Sequence, residues 1–127
     1  MKIENLNTDL LVIGVLFFEE YNTPYIESAY KELDLVIQAF RPMLDNVGKV
    51  EKLINDSIKL KEGNSLENCI GENETMIYFN DGYFQFDSIV LSPEIYLELE
   101  ASSWFMLLEN LKSFMIKQKG KKFKVRF

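Results

Sequence analysis

Met76-Ile77-Tyr78-Phe79-Asn80-Asp81-Gly82-Tyr83-Phe84-Gln85-Phe86 sets an Asp-Gly pair between two runs of aromatic and aliphatic residues. Asp-Gly takes the positive φ values of a type I′ turn, whose twist matches that of the strands it joins. The spacing predicts a hairpin with Asn80 opposite Tyr83, Phe79 opposite Phe84 and Ile77 opposite Phe86. Side chains alternate along a strand, so these last four share one apolar face while Tyr78 and Gln85 take the other.

Downstream, Ile95, Leu97 and Leu99 alternate with Tyr96, Glu98 and Glu100, which predicts a third strand, with Pro93 marking the turn before it. Ser102 or Ser103 is expected to cap a last helix, where Trp104, Leu107, Leu108, Leu111, Phe114 and Met115 form an apolar stripe. Trp104 sits on that stripe and reads as core. Lys112, Lys117 and Lys119 suit the helix's negative carbonyl end, and Gly120 is a candidate stop. Phe123, Val125 and Phe127 then alternate with Lys122, Lys124 and Arg126, as in a final strand whose charges discourage edge pairing.

Upstream, Gly63 to Thr75 is rich in Gly, Asn, Ser and Glu with little periodicity, and reads as a solvated loop. Before it, Val47, Val50, Leu53, Ile54, Ile58 and Leu60 follow a helical pattern, with Asp45 or Asn46 as cap and Gly63 as stop. Thr23-Pro24 predicts the start of an earlier helix, with an apolar stripe of Ile26, Ala29, Tyr30, Leu33, Ile37 and Phe40 that Pro42 brings to an end. Leu10 to Phe18 is apolar at every position; periodicity cannot separate strand from helix there, and strand is preferred. The expected architecture is α+β: one domain over residues 1–127, an antiparallel β-meander packed against about three helices.

At 127 residues the chain can bury roughly two-thirds of its unfolded surface without staples. Its single cysteine, Cys69, excludes an intramolecular disulfide and fits a reducing compartment. The amino terminus lacks the order of a secretion signal, and the longest apolar run is half a membrane span, so a cytoplasmic protein without membrane contact is expected.

The net charge of −6 is unevenly spread: all 20 acids precede Lys112, and half of the 14 bases lie from Lys112 onward. From Glu62 to Asn110 there are ten carboxylates and no Lys or Arg. Phosphate contacts need cations, so direct nucleic-acid binding by the body of the protein is not expected. The basic end suits helix dipole and edge-strand solubility before it suggests RNA or lipid.

There is no histidine, which removes the Ser-His-Asp and Cys-His arrangements and the usual zinc ligand sets. Cys69 lacks the histidine base that usually activates a thiol, and its neighbours Glu67 and Glu72 are acidic, so an inert cysteine is expected. Neither a P-loop nor a dinucleotide glycine pattern is present, and no cofactor is expected. Glu98 with Glu100 is the best local pair for acid-base or divalent-cation chemistry, yet an i,i+2 pair on a strand usually marks a solvated face. A non-catalytic protein is the stronger reading.

A small, acidic, histidine-free α+β chain with the Phe79-Asn80-Asp81-Gly82-Tyr83-Phe84 hairpin and a one-signed surface resembles a bacterial toxin immunity protein, with contact-dependent growth inhibition systems the nearest class. The resemblance is one of type over the whole chain, carried by no motif, so no functional residue transfers with it. It implies a basic protein partner, a cognate toxin domain often of nuclease type, whose active site is blocked by carboxylates standing in for phosphate. The residues expected to meet it are the loop acids Glu67, Glu72 and Glu74 and the outward sheet positions Tyr78, Asp81, Tyr83, Asp87, Tyr96, Glu98 and Glu100. Two alternatives are a phage-type nucleic-acid mimic and a metal-dependent carboxylate hydrolase.

Overall fold

The structure is a computed structural model that describes residues 2–3, 11–18, 21–28, 31–63, 69–72, 75–88 and 97–117. In chain order these form β1 (Lys2–Ile3), β2 (Leu11–Phe18), β3 (Tyr21–Ser28), α1 (Lys31–Ala39), a short 3-10 turn (Arg41–Met43), α2 (Val47–Glu62), β4 (Ile70–Glu72), β5 (Thr75–Asn80), β6 (Tyr83–Ser88), β7 (Leu97–Glu100) and α3 (Ala101–Lys117). The fold is α+β, with an antiparallel meander β4-β5-β6-β7 extended at one edge by β1, which runs parallel to β7. β2 and β3 form a separate antiparallel ribbon.

The hairpin follows the parity of its sequence. Ile77 pairs with Phe86, Phe79 with Phe84 and Asn80 with Tyr83, around a turn with φ of 51° at Asp81 and 84° at Gly82. Ile77, Phe84, Phe86, Leu97 and Leu99 are buried on one sheet face, and all three helices contribute to the core laid against that face. From α1 come Leu33, Val36, Ile37 and Phe40; from α2, Val50, Leu53, Ile54 and Leu60; from α3, Trp104, Leu107, Leu108 and Leu111. Burying each large side chain contributes about 1.5–3 kcal/mol, so this interface is a major source of hydrophobic stabilisation among the described residues.

Rings concentrate at its centre. Phe86 lies edge-on to Trp104 (4.9 Å between centroids) and to Phe40 (5.5 Å), and Phe84 meets Phe79 at 5.0 Å and Phe105 at 5.6 Å. Such geometries set the positive edge of one ring against the negative face of another. The indole Nε1–H of Trp104 donates to Ser57 Oγ at 3.1 Å, which gives the buried donor its partner and joins α3 to α2.

Helix ends explain themselves locally. Asn46 Oδ1 accepts from the Lys49 amide at 2.9 Å at the start of α2, and Gly63 closes the helix in the left-handed region at φ 71°. α3 instead begins at Ala101 directly after β7, where the Ala101 N–H donates to the Gly82 carbonyl at 3.0 Å. The expected Ser102 or Ser103 cap is thereby corrected: both lie inside the first turn, Ser103 buried.

Other expectations also change. Thr23-Pro24 does not start a helix; it lies in β3, where Thr23 pairs with Leu16 and Pro24 with Val15, and α1 starts at Lys31. Local capping chemistry is overridden by pairing with the long apolar β2, and proline is tolerated in a two-stranded ribbon whose outer edge needs no ladder donor. The Gly63–Thr75 stretch is not loop throughout, since Ile70–Glu72 pairs with β5. Ile58 is exposed and Ser57 is buried in the α2 stripe instead. Ala29, Tyr30, Pro93, Ile95, Lys119, Gly120 and the alternating segment 122–127 lie outside the described residues.

Candidate functional site: the open face of the sheet

The side of the sheet away from the helices is built by the same alternation that builds the core. β5 places Met76, Tyr78 and Asn80 there; β6 places Tyr83, Gln85 and Asp87; β7 places Glu98 and Glu100. Cross-strand register arranges them in rows. Tyr78 stands opposite Gln85, which stands opposite Glu98; Asn80 opposite Tyr83, which stands opposite Glu100; and Met76 opposite Asp87.

Tyr78 is 37% exposed, and Asn80, Asp81 and Asp87 are exposed as well. Met76, Tyr83, Gln85, Glu98 and Glu100 are half-buried. Gln85 Nε2 donates to Glu98 Oε1 at 2.9 Å, a charge-assisted bond between neighbouring strands. Lys2 on β1 is the register partner of Glu98, so the backbone brings one cationic position to the edge of this face.

No two of these carboxylates face each other across neighbouring strands. Glu98 is opposite Gln85, Glu100 opposite Tyr83 and Asp87 opposite Met76. Like charges placed directly opposite would destabilise the ladder, so the register lets β5, β6 and β7 carry carboxylates at low cost to folding.

Gly71 shows how closely the edge is fitted. A Cβ at this position, with φ 157°, would collide with the Thr75 carbonyl oxygen and lie 2.9 Å from Met76 Sδ. Only glycine lets β4 approach β5 there.

Of the residues singled out from sequence, Tyr78, Asp81, Tyr83, Asp87, Glu98 and Glu100 come together on or at the rim of this face, with Asp81 in the turn. Glu72 ends β4 opposite Thr75, one step from the row of Gly71 and Met76. Glu67, Glu74 and Tyr96 lie outside the described residues. Trp104 is buried at 2% exposure, as its place on the apolar stripe implies. Glu62 and Glu109 of the one-signed stretch sit on α2 and α3, away from this face.

Sequence reasoning set Gln85 on the outward face but did not count it among the residues meeting a partner, and it passed over Lys2. The hairpin parity already set Gln85 opposite Tyr78, and adding the register of the third strand would have set it beside Glu98. The pairing of β1 with β7 spans two residues and carries no local signal.

Chemically, the face offers carboxylate and amide acceptors around an exposed ring, an arrangement suited to cationic groups. Among the described residues no three His, Cys, Asp or Glu side chains are grouped as a cation site, and no helix is long and apolar enough to cross a membrane. No protein-family model, curated protein or solved structure matches this chain.

Proposed function

We propose that this chain is a stoichiometric, non-catalytic inhibitor that acts in the cytoplasm as an immunity protein, binding and blocking a cognate basic toxin domain of nuclease type. The observation that supports it most is the sheet face on which Asp81, Asp87, Glu98 and Glu100 surround Tyr78 and Tyr83, with no Lys or Arg on β5, β6 or β7. A nuclease cleft is lined with cations that meet phosphate, and a rigid array of carboxylates competes for the same contacts. Such a face raises association rates by roughly one to three orders of magnitude at low salt, and close interfacial charge pairs couple by roughly 1.5–7 kcal/mol.

The test is capture from the native host with the full chain as bait, followed by mass spectrometry. A basic toxin domain in one-to-one complex, its nuclease activity lost on binding, is the expected result. Capture of a host nucleic-acid-binding protein would turn the reading to nucleic-acid mimicry, and a complex that leaves the partner active would remove inhibition altogether.

A further inference from the structure

Among the described side chains Tyr78 is the one exposed large apolar group on the sheet; the other two, Ile58 and Ile116, are on helices. It heads a row in which Gln85 and Glu98 follow on the next two strands, and the Gln85 amide holds the Glu98 carboxylate at 2.9 Å. Asp81 and Asp87 lie exposed at opposite ends of the hairpin. A ring, an oriented carboxylate and a negative rim are thus combined on a face that the helices leave uncovered.

Resting on the proposed function, we infer that Tyr78 seats an arginine of the basic partner. A guanidinium is planar, stacks on an aromatic face and forks onto a carboxylate, and it is more weakly hydrated than an ammonium. Lysine satisfies the negative rim equally well but lacks the plane that the ring recognises. Tyrosine and arginine are also the side chains most enriched among residues that dominate binding energy, while lysine is depleted from interface cores. The rim attracts any cation; the ring selects which one is retained.

The probes are capped oligo-arginine and oligo-lysine peptides of equal length, titrated into the full chain at low salt by calorimetry. Wild type is expected to bind the arginine peptide about fivefold more tightly. Tyr78→Ala is expected to abolish that preference and Tyr78→Phe to retain it, with unchanged thermal unfolding showing that both variants fold. Equal affinity of wild type for the two peptides would overturn the arginine seat while leaving a basic partner in place. A preference that survives Tyr78→Ala would also overturn it. Binding of neither peptide would overturn the seat and the cationic-partner reading together.

Discussion

The outer surface of the helices and the open face of the sheet handle charge in opposite ways. On the helix side both signs meet: Lys49 lies 3.7 Å from Asp45 just before α2, and Lys112 lies 3.5 Å from Glu51, while the Lys61 ammonium sits 5.8 Å from the centroid of the Phe105 ring. On the strands β5, β6 and β7 every charged side chain is a carboxylate, and within these three strands the register sets each opposite a neutral residue, with Lys2 of β1 beside Glu98 at the edge. Solubility alone is served by the mixed pattern. The unmixed one limits self-repulsion by register, which sets no two carboxylates opposite each other on β5, β6 and β7.

Four substitutions test this division between a helix side that holds the fold and a sheet face available for docking. The largest effect belongs to the core shared by both layers. Phe84→Ala removes a fully buried ring in contact with Phe79 and Phe105, and chemical denaturation is expected to show a loss of about 3–5 kcal/mol. A loss below about 1 kcal/mol would mean that the two layers are not packed as described.

Ser57→Ala strips the Trp104 N–H of its acceptor and should destabilise by about 1–3 kcal/mol. In a double-mutant cycle with Trp104→Phe the two losses should be less than additive, whereas additivity would deny the hydrogen bond. Gly71→Ala forces β4 from β5 at the Thr75 carbonyl, and about 1–3 kcal/mol is expected from thermal unfolding. A neutral outcome there would show that the sheet edge is looser than its register. Smallest is Lys112→Ala, which breaks a partly exposed pair with Glu51 and should change stability by at most about 1 kcal/mol.

The contrast between the layers also explains what the sequence disclosed. Hairpin parity is a two-residue rule with a dedicated turn, so Asp81-Gly82 fixed the sidedness of Ile77, Tyr78, Phe84 and Gln85 without help from the rest of the chain. Asn46 and Gly63 bounded α2 for the same reason: caps act within one turn. Thr23-Pro24 misled because the pairing of β3 with β2 outweighed a local cap. The lateral neighbours of Glu98, Gln85 on one side and Lys2 on the other, depend on which strands lie side by side, and a one-dimensional pattern cannot state that. The acids were therefore legible as a set, and their spacing against ring, amide and edge cation was not.

The most direct measurement is the association rate of the captured partner, by stopped flow across a salt series. Three proteins are compared: wild type, a sheet-face variant and a helix-side variant. Asp81→Asn combined with Asp87→Lys keeps a competent turn while removing charge from the face; Lys52→Glu with Lys59→Glu alters exposed positions of α2 by as many charges or more. Docking by the sheet face requires that the first pair slow association about tenfold at low salt and flatten its salt dependence, while the second leaves it no slower than wild type. Equal kinetics for wild type and the sheet-face variant, or slowing confined to the helix-side variant, would contradict it.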